Sequence, residues 1–297
     1  MTIADQKIID THHHLWDPTT NKYDWLTAQG HEVFNHIYCL KNFVEDFQEL
    51  NIIKSAHIQA EINLPDTIYE TEWLQKCSEE NKNKLPNAII GFADFLDPYV
   101  EKTLEMHLKY NNFRGIRHIL NYDENNKEIS HAKLDYLNED LWFKNFFLLE
   151  KYDLSFDLSI LYYQAEDASK LINNYQNTLF IINHTLCPIN ISSDNINTWL
   201  DKIKLLSSFD NVAIKLSGFG EFNSNWTEES IKPLILYTID NFGVERCMFG
   251  TNFPVDKYLS PSKYIDYWKA YINVVNGFNQ DEIDKLFYLN AEKYYKI

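Results

Sequence analysis

Residues 8–18 read IIDTHHHLWDP, a short apolar run that meets an aspartate, three consecutive histidines and then a proline. A β-branched opening closed by a Pro-containing stop is the pattern of a short strand. Side chains on an extended backbone alternate between faces, so Asp10, His12 and His14 are expected on one face and Thr11 and His13 on the other. What surrounds this strand decides the fold.

Runs of the same kind recur outward from it: KIIDTHHH (7–14), KSAHIQAE (54–61), AIIGFADF (88–95), FRGIRHIL (113–120), LSFDLSIL (154–161), LFIINHTL (179–186), VAIKLSGF (212–219) and CMFGTNFP (247–254). Segments with helical spacing of apolar residues lie between them, among them YETEWLQKCSEEN, EDLWFKNFFLLEKY, INTWLDKIKLLSSF and SIKPLILYTIDNF. Strand and helix alternating in this way predict a closed parallel (β/α)8 barrel, a TIM barrel, rather than an open doubly wound sheet with fewer strands. The 297 residues then form one α/β domain spanning 1–297. The last stretch carries two helical patterns split by NGFN, which predicts a final barrel helix and an added C-terminal one.

The net charge of -16 argues against nucleic acid or an anionic membrane as partner, since both are themselves negative. Four cysteines without a C-x-x-C pair indicate neither a zinc cluster nor a disulfide framework. No secretory signal pattern or spanning apolar run is visible, so a cytoplasmic protein is expected, with self-association left open. Arginine is scarce, only Arg114, Arg117 and Arg246, which makes each one easier to weigh.

Catalytic residues of such barrels come from the C-terminal ends of the strands. Here those ends carry His12 and His14, Glu61, Arg117 and His118, His184, Lys215 and Ser217, and Asn252. Burying so many polar groups unpaired is costly, and packing alone does not call for them. Lone strand-end histidines are ordinarily hydrogen-bonded packing residues, but His12 and His14 with His184 would converge at the barrel mouth. His13, of opposite parity, should pack against helices. Asp10 either orients a ligand imidazole or is a buried, hydrogen-bonded carboxylate. Arg117 suits a carboxylate or carbonyl oxygen, or forms a rim salt bridge. Glu61, Lys215 and Ser217 either bind substrate or pair with one another. Cys187 reads as a small buried residue rather than a thiol ligand. Trp16, Tyr23 and Trp25 form an aromatic loop that stacks on a sugar ring or caps the core.

IIDTHHHLWDP with YDWL, FRGIRHIL, INHTLCP, KLSGFGEF and CMFGTNFPVD resembles the sugar-lactone hydrolase branch of the amidohydrolase superfamily, over about residues 7–290. The resemblance implies a lactonase of carbohydrate metabolism, a hydrolase opening a lactone to its hydroxy acid. It implies His12, His14 and His184 as ligands of one divalent metal, zinc before others, or as groups acting directly on the carbonyl in a metal-independent enzyme. Substrate contacts are expected from Arg117, His118, Glu61, Lys215 and Trp16. Much of the superfamily places a base aspartate where this chain has Asn252, and an amide cannot take a proton as a base. Asp256 is the expected substitute, with His118 or His184 in reserve, unless Asp256 merely caps the following helix. With few arginines, a neutral polyol lactone or one with a single carboxylate fits better than a dicarboxylate. A metal-dependent decarboxylase or a non-catalytic sugar-acid binding barrel are the alternatives.

Overall fold

The computed structural model describes residues 3–189 and 196–297. Its eight strands are β1 (Ile8–His13), β2 (Ile52–Ile58), β3 (Ala88–Gly91), β4 (Phe113–Ile119), β5 (Ser155–Ser159), β6 (Phe180–Ile182), β7 (Val212–Leu216) and β8 (Cys247–Phe249). They pair in parallel in sequential order. Seven of the eight apolar runs named above enclose one strand, and β2 begins two residues before its run. The strands are shorter than the runs because the C-terminal part of each run leaves the sheet to form the mouth.

The ring is closed between β1 and the segment after β8. Thr11 Oγ1 donates to the Phe249 carbonyl (2.8 Å), Asn252 N–H to His12 O (2.8 Å) and His14 N–H to Phe253 O (2.7 Å). Helices such as Thr67–Glu80, Ala165–Asn174, Ile196–Ser207 and Glu228–Phe242 cover the outside. Among the described residues, no helix is long and apolar enough to cross a membrane.

The barrel interior alternates small and branched side chains: Ile9, Ala56, Ile58, Ala88, Ile90, Ile181, Ala213 and Met248. The alanines leave room at the N-terminal end, and the C-terminal helix Asn290–Tyr295 fills it with Ala291 and Tyr295. The added helix expected from the sequence therefore acts as a plug. Much larger buried surface lies between the outer strand faces and the helices, where Trp142, Trp199 and Trp268 are fully buried.

β4 and β5 approach most tightly where Gly115 faces Ser155. A Cβ on Gly115 would lie 2.2 Å from Ser155 Oγ and 2.5 Å from the Ser155 carbonyl oxygen. The backbone carbonyl cannot rotate away from such an atom. Gly115→Ala is expected to cost about 1–3 kcal/mol by overpacking, read as a lower urea midpoint with an unchanged denaturant slope.

Candidate active site

The strand carrying the histidines is irregular. Asp10 stands opposite Ser55 and His13 opposite His57, so β1 uses one residue more than β2 over the same span. Such a bulge reverses the side-chain parity. Ile9 points into the barrel, and Asp10 turns outward toward Thr251 and Tyr264. Past the bulge His12 and His14 point inward, while His13 stacks on Phe43 (ring centroids 4.1 Å) and bonds Ser55 Oγ (2.9 Å). The expected common face for Asp10, His12 and His14 is thus corrected for Asp10. Its carboxylate accepts from Thr251 N and Oγ1, Tyr264 Oη and His12 N, a buried hydrogen-bonded group rather than an imidazole partner. Burial raises its pKa to about 6 against these four donors.

His12, His14 and His184 do meet, with ring centroids of His12 5.0 Å from His14 and 4.2 Å from His184. Burial lowers all three well below the ordinary histidine value; His184 adds most to this for His12, and Arg117 for the other two. Neutral rings result, and their neighbours set the tautomers. His14 Nδ1 must donate to the Ile58 carbonyl (2.8 Å), leaving Nε2 bare. His12 Nδ1 faces Lys215 Nζ at 3.4 Å. An ammonium can only donate, so His12 Nδ1 accepts and Nε2 carries the hydrogen. His12 Nε2 is buried without a partner. His184 Nδ1 lies 3.1 Å from Ser217 Oγ. Gly218, at φ 76°, passes so close that a Cβ there would lie 2.7 Å from the His184 ring.

Above this floor a cavity of about 330 Å³ opens at the C-terminal end of the barrel. His14, Arg117, His184, Glu221 and Asn252 line its polar side, and Trp16, Trp25, Phe34, Val255 and Leu259 its apolar wall. Arg117 donates to the Gln59 carbonyl (2.5 Å) and, among the described residues, forms no ion pair; its Nε is buried and unpartnered. The rim salt bridge considered for Arg117 is therefore not made among these residues. Glu221, on the short helix Phe219–Phe222 after β7, is exposed and lines the cavity, and the protein packed around it raises its pKa. The cause is desolvation, opposed by His131, the Asn252 amide and Arg117.

Asn252 joins two carboxylates: its Nδ2 donates to Glu221 Oε2 and to Asp256 Oδ1, each at 2.8 Å. Asp256, the expected base, does not line the cavity. It is fully buried behind Asn252, with Oδ2 held by the Gly220 N–H (2.8 Å). Burial and then the Glu221 charge push its carboxyl up to about 8. Its position is that of a support, and the carboxylate that does face the cavity is Glu221. Sequence reading missed Glu221 because it lies beyond a strand end; its signal was an acidic residue inside KLSGFGEF.

The other expected contacts divide. Glu61 and Trp16 line the cavity, as does Cys187, whose thiol burial pushes up and which accepts only a long contact from Asn121. Tyr23 instead bonds the buried Glu70 (3.2 Å). Lys215 does not line the cavity. It is fully buried below His12 and paired with Asp157, a residue the sequence reading passed over; Asn183 and Tyr295 also bond this carboxylate. Burial lowers Lys215 to about 8, opposed by Asp157. His118 leaves β4 on the opposite side from Arg117, accepts Trp142 Nε1–H at Nδ1 (3.1 Å), and is lowered by burial to about 3. It lies outside the cavity and has no proton-accepting nitrogen left, so it cannot serve as a reserve base.

A divalent cation held by three histidines needs three bare ring nitrogens that converge. His14 offers one, but His12 does not while Lys215 donates to its other nitrogen, and Arg117 and Lys215 place positive charge on the same side. Among the described residues, no group of three or more His, Cys, Asp or Glu is arranged to hold a metal. As arranged, the trio does not fit the metal that the resemblance implies.

The amidohydrolase family pattern matches residues 9–297. The chain is 35% identical over 302 residues to the uncharacterized protein y4mH of Sinorhizobium fredii, covering 99% of this chain and 100% of that protein. It is 24% identical to an L-fucono-1,5-lactonase of Burkholderia multivorans, over 83% of this chain and 82% of that enzyme. An amidohydrolase of B. multivorans crystallised with bound zinc superposes with a TM-score of 0.81 at 18% identity, covering 98% of this chain and 99% of the other.

The junction of Asn252 with Glu221 and Asp256 predicts the effect of restoring an acid there. In Asn252→Asp both carboxylates lose their donor and meet a third negative charge. The charge penalty is absent only below about pH 3, where the acids are protonated in folded and unfolded chains alike, and grows as pH rises toward the Asp256 value of about 8. Urea unfolding should place the variant about 2–4 kcal/mol below the parent at pH 8, with the gap narrowing at pH 5.

Proposed function

The chain belongs to the amidohydrolase family, and from that premise we propose that it opens a sugar-derived lactone to the hydroxy acid, using protein side chains at the barrel mouth. The observation that carries this reading is one cavity faced by Arg117, an arginine without an ion pair among the described residues, and by Glu221, a carboxylate with a raised pKa. These two charges suit acyl transfer, a cation where an oxyanion develops and a base for the incoming water.

Water loses a proton to Glu221 as its oxygen bonds the lactone carbonyl carbon. The carbonyl oxygen becomes an oxyanion facing Arg117. The intermediate then expels the ring oxygen, which takes the proton back from Glu221, and the product is the open hydroxy acid. Asn252 orients Glu221 through its amide, and Asp256 and Gly220 fix Asn252 and the loop in turn. The Trp16 and Trp25 wall stacks on the apolar face of the ring, while neutral His14 and His184 supply hydrogen bonds to hydroxyl groups. A lactone is an activated ester, so one cation and one base suffice where an amide would demand more.

This cavity has room for one ring of the substrate. Of the three arginines only Arg117 lines it; Arg114 and Arg246 are spent on backbone carbonyls. That favours a neutral polyol lactone, or one with a single carboxylate. Burial of a dicarboxylate would leave one charge unmatched.

The test is acid release from a panel of aldonolactones, followed with a pH indicator. Glu221→Gln should lower kcat by about 10²–10⁴-fold with KM little changed. Activity of the parent should fall on the acid side above the ordinary carboxylate range, because Glu221 must be ionised to accept a proton, and the variant should lose that limb. Absence of turnover on every lactone, or full activity of Glu221→Gln, would defeat the reading.

A further inference from the structure

A second cavity, about 600 Å³, lies beside the first and shares Trp25, Glu61, Ile119 and His131 with it. The two are lobes of one groove with those four residues at the waist. Glu61 is held there in a left-handed backbone conformation, φ 58°, with its N–H on Gln59 Oε1 (2.6 Å). A non-glycine residue in that conformation is strained, and such strain gathers where a side chain must be aimed.

The deep end of the second lobe is His118. His118 is buried, its ring clamped by Tyr136 (ring centroids 4.2 Å), Phe92 (5.0 Å) and the Trp142 N–H on Nδ1. Nδ1 accepts, so Nε2 carries the hydrogen, and among the described residues no group receives it. A neutral N–H donor therefore waits for an acceptor oxygen at the floor. Around it stand Trp25, Phe92 and Tyr136 as flat apolar surfaces, with the carboxylates of Asp24, Glu61 and Asp94 at the sides and Lys133 at the edge.

This combination selects among ligands. Three carboxylates against one lysine repel an anion. A simple organic cation would satisfy the carboxylates but offers His118 no acceptor. A hydroxyl-rich neutral ring satisfies both, because each hydroxyl donates to a carboxylate and accepts from the imidazole, while its C–H face stacks on an aromatic ring. We propose that the second lobe binds a further sugar unit joined to the lactone, so that the substrate class is a two-ring aldonolactone rather than a single-ring one.

The proposal rests on the lactonase reading, and two measurements separate their failures. The first compares hydrolysis of glucono-lactone and cellobiono-lactone. The two-ring lactone should have a KM about tenfold lower at similar kcat, and both His118→Phe and Asp94→Asn should reduce its kcat/KM advantage about tenfold. Asp94→Asn keeps the side-chain oxygen that caps Leu96 N–H, so it remains informative if His118→Phe folds poorly. The second measures calorimetric binding of the corresponding acids, gluconate and cellobionate, with no turnover required. Cellobionate should bind about tenfold more tightly, and both variants should erase the difference. Tighter cellobionate binding with no lactone opened would overturn the lactonase reading alone and uphold the second lobe as a sugar site. Equal affinities and equal KM values in the parent would overturn the two-ring proposal.

Discussion

The seam between β1 and the segment after β8 is the contact on which the rest depends, because it closes the barrel and assembles the site in one set of hydrogen bonds. Asp10 reaches outward through the bulge to hold Thr251 by backbone and hydroxyl, and Tyr264 by its phenol. Thr251 precedes Asn252, whose N–H is bonded to His12 O. The residue that carries the inward histidine is therefore tied directly to the residue that carries the amide at the mouth. A closed sheet has no free edge, and this last pairing is the one that must be made for the others to be in register.

Around that seam the charges are placed so that few of them meet without an intermediary. A chain of net charge -16 keeps two cations, Arg117 and Lys215, near the barrel axis. Lys215 is neutralised below the floor by Asp157, and there it also fixes the His12 tautomer. Among the described residues, Arg117 has only a carbonyl as its direct partner. The difference is functional in form: the first cation is matched within the protein and the second awaits an oxygen. On the acidic side, an aspartate at 252 would leave three carboxylates in contact. Asparagine donates to two of them and lets Glu221 stand in the cavity as the ionisable group.

Much of this was legible in the amino-acid order. The eight apolar runs became strands, and the H-x-H spacing brought His12 and His14 to one face with His184. The bulge was not legible, since one inserted residue leaves no mark on composition, and its consequence was the misplacement of Asp10. Residues of the second layer were hidden for a different reason. Asp157 and Lys215 are inward residues of β5 and β7, and a charge in the middle of a buried strand was itself the signal; nothing local says that two such charges face each other. Glu221 was missed and Asp256 was misassigned as the base because the backbone turns sharply after β7 and β8, and the direction of a loop is set by tertiary contacts rather than spacing.

Those turns explain why the site survives its own strain. Glu61, His184 and Asn252 follow β2, β6 and β8 with φ of 58°, 54° and 60°, and the left-handed stretch beginning at His184 continues through Thr185, Leu186 and Cys187. Left-handed backbone costs non-glycine residues about 1–2 kcal/mol each, so hydrogen bonds and close packing from outside the turn must hold it. The Trp199 Nε1–H to Thr185 O (3.1 Å) and the close approach of Gly218 to the His184 ring do so at β6; the seam and the two carboxylates do so at Asn252. Asparagine and aspartate are both enriched in this conformation. Backbone preference therefore does not choose between them at position 252. The choice falls to electrostatics, and with Glu221 and Asp256 both 2.8 Å from the side-chain nitrogen, only the amide can bond to both.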